Sequence, residues 1–135
     1  MSKKQKDALQ AVAMPPVKEY LTAVQRDGSE LCADDVYRQT TAWLKAKGCE
    51  SVVSAQIVEQ YAMSVARWVH LEQMISKYGY IAKHPTTGAP MHSPYVTMAQ
   101  GYLKQAAALR DEILMLVKDT RPTMTATMRE VVYGG

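Results

Sequence analysis

Two long stretches of the chain repeat apolar residues at spacings of three and four, the period of an α-helix with one buried face. The first runs to about Tyr78 and carries its stripe at Ile57, Tyr61, Val65, Trp68, Leu71, Ile75 and Tyr78. The second starts near Pro94 and carries Tyr95, Ala99, Tyr102, Ala106, Leu109, Ile113 and Leu116. Steps that alternate between four and three are typical of a coiled-coil seam. We therefore predict long helices at about 52–78 and 94–118.

Residues 79–93 connect the two long helices and are rich in glycine, proline and threonine. Residues 80–82 and the residues around Met91 can form two short strands about a Thr87-Gly88 turn. Ser93-Pro94 can start the next helix, because serine caps a helix and proline is tolerated in its first turn. We predict a β-hairpin-like connector that sets the angle between the long helices.

Two shorter helices are predicted ahead of the long pair. The first, at about 16–27, would open at Pro15-Pro16 and stop at Gly28. The second, at about 34–47, begins with acidic residues and ends with lysines, which suits the helix dipole. Its apolar stripe predicts that Trp43 and Leu44 make its main core contact.

The resulting fold class is all-α. Two long antiparallel helices are joined by a short β-hairpin-like turn, with one or two shorter N-terminal helices, and the protein is expected to form oligomers. We divide the chain into a flexible basic N-terminus at 1–14, a helical domain at 15–119 and a C-terminal tail at 120–135.

Charge is informative in its distribution rather than its total. The chain has 135 residues, enough for one domain, and its formal net charge is +3. That excess alone does not indicate a nucleic-acid-binding protein. However, no acidic residue occurs between Glu72 and Asp111, or between Asp35 and Glu50. Both windows can become basic patches if the fold exposes their lysines and arginines together.

Cysteine usage and hydropathy predict a soluble, cytoplasmic protein. Cys32 and Cys49 are isolated and match no CxxC or zinc-type spacing. The first ten residues, MSKKQKDALQ, are polar and unlike a signal peptide. No run approaches the ~18 apolar residues that cross a bilayer.

The residues that could carry chemistry do not form a catalytic constellation. His84 and His92 lie eight residues apart, without the tight pairing typical of zinc ligands. Ser93 is next to a histidine, but its position favours a helix cap. Adjacent carboxylates such as Asp34 and Asp35 point about 100° apart on a helix and make no acid–base pair. We predict no enzymatic activity, no metal and no cofactor.

Two kinds of binding remain. The segment from Asp34 to about Tyr61 has the outline of a helix-turn-helix, although any helical hairpin shares that outline. On the second long helix, apolar residues also lie beside or off the seam: Met98, Leu103, Leu114 and Val117. Surplus apolar surface on a long helix indicates an interface, so we predict self-association.

The order of these segments is similar to a known family. A helix ending near LKAKG precedes a long helix reading QYAMSVARWVHLEQMISKYG, a turn reading YIAKHPTTGAPMHSPY and a helix reading VTMAQGYLKQAAALRDEI. This order resembles the small subunit of a phage terminase, in the prophage-encoded group with a helix–hairpin–helix core. The resemblance covers roughly residues 30–118. Its most specific piece is the join, where Lys-Tyr-Gly ends one helix and Ser-Pro opens the next.

The resemblance implies a non-enzymatic component of viral DNA packaging. Such small subunits assemble into rings, recognise viral DNA and recruit the large subunit, which carries the ATPase and the nuclease. The expected partners are therefore double-stranded DNA, the large terminase subunit and further copies of this chain. The expected location is the bacterial host cytoplasm, with no membrane contact.

Under this hypothesis the phosphate contacts should come from the N-terminus and the acid-free windows. The first choices are Lys3, Lys4, Lys6, Arg38, Lys45 and Lys47, and the second choices are Lys77, Lys83 and Lys104. The expected oligomer interface includes Trp68, Tyr95, Tyr102, Leu109 and Ile113. By analogy with the family, the tail after Pro122 is expected to contact the large subunit.

Two other functions are open at this point. The chain could be a helical protein-interaction or regulatory protein of a mobile element that does not bind DNA. It could also be a small metal-dependent nuclease that uses His84 and His92.

Overall fold

The computed structural model describes residues 17–120, which form three α-helices, one short 3-10 helix and one two-stranded sheet. The 3-10 helix is Glu19–Thr22, the α-helices are α1 (Ala33–Ala46), α2 (Ala55–Tyr78) and α3 (Pro94–Thr120), and the strands are β1 (Ile81–Lys83) and β2 (Pro90–His92). The prediction of a mostly helical fold is confirmed in outline. The expected N-terminus at 1–14, the Pro15-Pro16 helix start and residues 121–135 of the tail lie outside the described residues.

The α2–α3 pair is the longest element of the fold, and small side chains line its inner faces. Ala62 and Ala66 of α2 are buried, as are Ala99 and Ala106 of α3. Alanine at such positions lets two helix axes approach closely, because there is little side chain to hold them apart. The two helices run antiparallel, since the hairpin between them reverses the chain.

The core has two parts along this pair. The larger cluster lies where the N-terminal segment and α1 cover the helices, and it includes the most completely buried large side chains, Leu21, Leu44 and Cys49. The smaller cluster lies nearer the hairpin, where Leu71 and Ile75 of α2 pack with Ala99 of α3. The end of the α2–α3 pair that α1 and the N-terminal segment cover is therefore better packed than the hairpin end.

A serine cap and local hydrogen bonds hold the connector in place. Ser93 is buried, and its hydroxyl accepts a hydrogen bond from the backbone N–H of Tyr95 at 3.3 Å, as expected of a helix cap. In the hairpin, Ala82 pairs with Met91, and Gly88 adopts φ +70° in the connecting turn. His84 Nδ1 accepts hydrogen bonds from the backbone N–H groups of the following turn, so this histidine supports the hairpin.

The predicted α-helix at 16–27 is wrong. In its place, a single 3-10 turn is followed by a tight reversal in which Val24 pairs with Glu30. The Asp27 carboxylate accepts hydrogen bonds from the backbone N–H and the hydroxyl of Ser29, and Gly28 adopts φ +89°. Local Asp-Gly-Ser turn chemistry thus ends the helical path well before Gly28.

The predicted core face of α1 is half wrong. Leu44 is 2 % exposed as expected, whereas Trp43 is 38 % exposed. The buried stripe consists of Ala33, Tyr37 and Leu44, which lie on one side of α1. Because α1 packs mainly on α2, only one narrow stripe of its surface is covered.

Ala106 tests the close approach of α2 and α3. We expect Ala106→Leu to lower the free energy of unfolding by about 1–3 kcal/mol, because the larger side chain has to be accommodated between packed helices. The matched control is Ala108→Leu, which adds the same atoms at an exposed position of α3. Chemical denaturation of both variants measures the difference, and equal stabilities would contradict the packing described.

Candidate nucleic-acid and subunit interfaces

The described part of the chain carries no net charge. Residues 17–120 contain eleven Lys and Arg side chains and eleven Asp and Glu side chains. The whole formal charge of +3 therefore belongs to residues 1–16 and 121–135. Lys3, Lys4 and Lys6 are in the first of these segments, outside the described residues. Any nucleic-acid contact of the helical part has to come from local patches rather than from an overall positive field.

The arginine and two lysines between Asp35 and Glu50 lie on two sides of α1. Arg38 and Lys45 are seven residues apart and share one side of the helix, with Lys45 exposed and Arg38 half-buried. Lys47 lies on the other side, where its Nζ is 5.9 Å from the centroid of the Trp43 ring. The three predicted cations thus flank the buried stripe of α1 without forming one cluster.

The second window, between Glu72 and Asp111, has two of its four lysines and arginines at the hairpin end. Lys77 and Lys83 are both exposed, at the end of α2 and in β1, and the Nζ of Lys77 is 5.3 Å from the centroid of the Tyr78 ring. Lys104 is also exposed but lies ten residues into α3, about 15 Å from its start. Lys77 and Lys83 can act together, whereas Lys104 stands apart.

The cations of α1 and the lysines at the hairpin end are far apart on the molecule. Trp43 of α1 lines a groove together with Tyr61 of α2, and Tyr61 precedes Lys77 by sixteen residues, about 24 Å along the helix.

The hairpin end also exposes large apolar side chains, with Tyr78 at 57 %, Tyr80 at 71 % and Ile81 at 62 %. It is a mixed apolar and basic surface.

The predicted interface residues largely face the interior of the subunit. Ile113 is 3 % exposed and belongs to the larger core cluster. Trp68, Tyr95 and Tyr102 are half-buried against the smaller cluster, and Leu109 is half-buried as well. The seam of α3 is therefore used mainly to pair with α2, and the exposed apolar side chains of α3 are Met98, Leu103, Leu114 and Met115.

One groove of about 240 Å³ lies between α1 and the α2–α3 pair, and we call it the apolar groove. Its lining residues are Gln39, Thr40, Trp43, Tyr61, Arg110, Ile113 and Leu114. The Arg110 side chain is 60 % exposed, and its guanidinium has one charged neighbour within the described chain, Asp111, at 3.9 Å. A contact of that length between exposed groups contributes little.

A second groove of about 220 Å³ lies between the N-terminal segment and the α2–α3 pair, and we call it the Glu59 groove. Glu59 is 9 % exposed, and its Oε2 accepts a hydrogen bond of 2.7 Å from the Tyr20 hydroxyl. This hydrogen bond, together with burial, raises the pKa of Tyr20 to about 12. At the same groove, Arg67 Nη1 donates to Gln25 Oε1 at 2.6 Å.

Sequence patterns did not identify the Glu59 groove. A single glutamate within a long amphipathic helix is usually solvated, and the partner of Glu59 is 39 residues away. Tyr20 itself is 46 % exposed, and it contributes through its hydroxyl. A contact over such a distance leaves no local periodicity to detect.

Three findings bear on the other predicted features. Within residues 17–120, no group of three or more His, Cys, Asp or Glu side chains is arranged to hold a metal ion. Cys32 and Cys49 are both free. None of the helices in the described range combines the length and the apolar content that a membrane span requires.

Comparison with known proteins identifies a family. The family described as phage terminase, small subunit, matches residues 33–127. The match begins at the first residue of α1 and continues past the end of α3. No curated protein and no solved structure matches the chain.

The Tyr20–Glu59 hydrogen bond can be tested by removing one hydroxyl. We expect Tyr20→Phe to lower the free energy of unfolding by about 1–3 kcal/mol at neutral pH, because the Glu59 carboxylate loses its hydrogen-bond donor in a largely buried site. The control is Tyr80→Phe, since Tyr80 is exposed. Thermal denaturation followed by circular dichroism is the measurement. A Tyr20→Phe variant as stable as the wild type would contradict a stabilising role for the Tyr20–Glu59 hydrogen bond.

The Tyr20–Glu59 hydrogen bond also predicts a loss of stability at alkaline pH. The folded-state pKa of Tyr20, about 12, lies above its ordinary value of 10.0, so the stability it contributes is complete below pH 10 and is lost between pH 10 and 12. Burial raises the pKa of Tyr37 too, but that contribution is the same in the wild type and in Tyr20→Phe. Stability should therefore fall more steeply over this range in the wild type than in Tyr20→Phe, and parallel curves would refute the assignment.

Proposed function

The chain belongs to the family of phage terminase small subunits, and we propose that it is a non-catalytic, oligomeric adaptor that binds phage DNA and recruits the large terminase subunit for genome packaging. The observation that carries this proposal is the match to residues 33–127, which includes all three α-helices and the hairpin. The resemblance of the helix–hairpin–helix segments points to the same role. We place its action in the host cytoplasm.

Multivalency is the physical basis of the proposed DNA binding. A subunit that neutralises only a few phosphates binds weakly at physiological salt. Joining several subunits in a ring raises the effective concentration of each remaining contact, so the assembly binds more tightly without any new contact. A neutral helical part is compatible with this mechanism, since each copy needs to supply only a few cations.

The proposed phosphate contacts fall into three groups. The first group is Lys3, Lys4 and Lys6, in the segment that holds much of the excess positive charge. The second group is on α1 and consists of Arg38, Lys45 and Lys47. The third consists of Lys77 and Lys83 at the hairpin end, with Lys104 further along α3. The separation of the last two groups along α2 favours contacts with different parts of a duplex.

The proposed subunit interface uses the half-buried and exposed apolar side chains of the long helices. Among the residues expected from the sequence, Trp68, Tyr95, Tyr102 and Leu109 keep some exposed surface, whereas Ile113 serves the core of the subunit. The tail after Pro122 remains our proposed contact for the large subunit, by analogy with the family.

A second function is a helical protein-interaction or regulatory role without DNA binding. The observation that favours it is the zero net charge of residues 17–120, because most duplex-binding domains carry a basic surface. The two proposals differ in whether duplex DNA binds and in whether that binding depends on salt.

The N-terminal lysines give the test. We expect the wild type to bind duplex DNA at low salt, with an affinity that falls as salt rises. Lys3→Gln/Lys4→Gln/Lys6→Gln should reduce the slope of log K against log salt by roughly 3 per subunit bound, at ~0.9 for each phosphate that is no longer neutralised. The matched control is Arg26→Gln/Lys118→Gln, which neutralises exposed cations outside the three groups.

Fluorescence anisotropy over a salt series is the measurement. Absence of duplex binding at low salt would refute the DNA-binding proposal and leave the protein-interaction role. Binding with an unchanged slope in the lysine variant would instead refute the assignment of these three residues.

A further inference from the structure

The Glu59 carboxylate is an unusual feature of the subunit because it is nearly buried and has no cationic partner within residues 17–120. Only 9 % of the residue is exposed, and one neutral hydroxyl donates to it. No Lys, Arg or His of the described range forms an ion pair with it. A buried carboxylate has room for several donors and is costly without them. Since Glu59 lines an open groove, a donor from outside the subunit can reach it.

Arg67 at the same groove does not fill this role. Its Nη1 is engaged with the Gln25 amide oxygen, and it is eight residues, about 12 Å, along α2 from Glu59. Arg67 is thus bonded to Gln25, and the Glu59 carboxylate keeps acceptor positions for a further donor. The Tyr20 ring, held by its hydroxyl bond, forms one wall beside the carboxylate.

Arg110 lies on the other flank of the helix pair and is an exposed cation, complementary in charge to the Glu59 carboxylate. It lines the apolar groove together with Trp43 and Leu114, and its ion-pair contact with the adjacent Asp111 is weak. On α3, Arg110 and Leu114 lie to one side of the buried Ala106–Ile113 line, whereas Gln105 of the Glu59 groove lies to the other. Arginine and tryptophan beside apolar side chains are typical of the centre of a protein interface.

The two grooves overlap in height along the helix pair. Arg110 lines the apolar groove together with Tyr61. Tyr61 is two residues from Glu59, a rise of about 3 Å along α2. A rotation axis roughly parallel to the long helices preserves height, so it would carry the Arg110 flank of one copy towards the Glu59 flank of the next. Cyclic assemblies use this kind of heterologous contact between two different faces.

We propose that Arg110 of one copy enters the Glu59 groove of a neighbouring copy and pairs with the Glu59 carboxylate, so that the two grooves form the two sides of one repeated subunit contact. This inference rests on the proposed oligomeric function and specifies the contact that builds the oligomer. The planar guanidinium matches a carboxylate with two parallel hydrogen bonds. Trp43 and Leu114 beside Arg110 become covered in the same contact, which shields the pair from water.

Charge reversal tests the contact in two single variants. Arg110→Glu places a carboxylate opposite Glu59, and Glu59→Lys places an ammonium opposite Arg110. Each variant alone should weaken self-association at least about tenfold, as measured by sedimentation velocity over a concentration series. Lys118→Glu is the control, because it reverses an exposed cation on α3 outside both grooves, and it should assemble like the wild type.

Mixing the two variants separates an intersubunit pair from damage within a subunit. In an assembly that alternates Arg110→Glu with Glu59→Lys, the two introduced side chains, a carboxylate and an ammonium, meet at one contact. At the next contact the unchanged Glu59 of the first variant meets the unchanged Arg110 of the second. Every contact then pairs opposite charges, so assembly should recover to within about threefold of the wild type. No recovery on mixing two folded variants would overturn the proposal, as would assembly of Arg110→Glu at wild-type strength.

A second pair of variants covers the case in which Glu59→Lys does not fold, as judged by its thermal transition. Glu59→Gln keeps an oxygen for the Tyr20 hydroxyl, and Arg110→Gln removes the cation. If the residues pair across the contact, the double variant should associate no more weakly than the weaker single variant. Losses that multiply in the double variant would contradict the pairing. A monomeric wild type would refute the oligomeric function itself, whereas an assembling wild type with unaffected variants would refute only this contact.

Discussion

The close approach of α2 and α3 organises the fold of this subunit. Alanines at the seam bring the helices together but bury little apolar area each, so the pair needs additional cover to be stable. At one end, α1 and the N-terminal segment supply that cover through Leu44 and Leu21. At the hairpin end the core is smaller, and large side chains such as Tyr80 remain exposed. The subunit is thus thick at one end and thin at the other.

This geometry determines which surfaces are available for partners. Because two different elements flank the α2–α3 pair, the subunit has two unlike grooves, one apolar with an exposed guanidinium and one with a buried carboxylate. In the proposed oligomer, two unlike faces would meet in a head-to-tail contact of the kind that can close into a ring. The neutral helical part adds no overall repulsion between copies, and its cations act locally.

Local signals predicted the helices and the connector well. In α2, α3 and the hairpin, the helical period, the capping residues and the turn residues all indicate the same structure. Ser93-Pro94 starts α3 and Gly88 forms the turn, as expected. Failures occurred where a tertiary or turn interaction decided the outcome. The Asp27–Ser29 turn replaced a predicted helix, and the limited cover of α1 left Trp43 partly in solvent. The Glu59 groove depends on a contact across 39 residues, which no periodic pattern encodes.

We propose that the subunit works as a closed assembly of copies, in which weak individual DNA contacts add up. Native mass spectrometry of the purified full chain measures the number of copies. We expect one dominant species with a single, defined number of subunits, because head-to-tail contacts that close into a ring fix that number. A clean monomer across the accessible concentration range would contradict it.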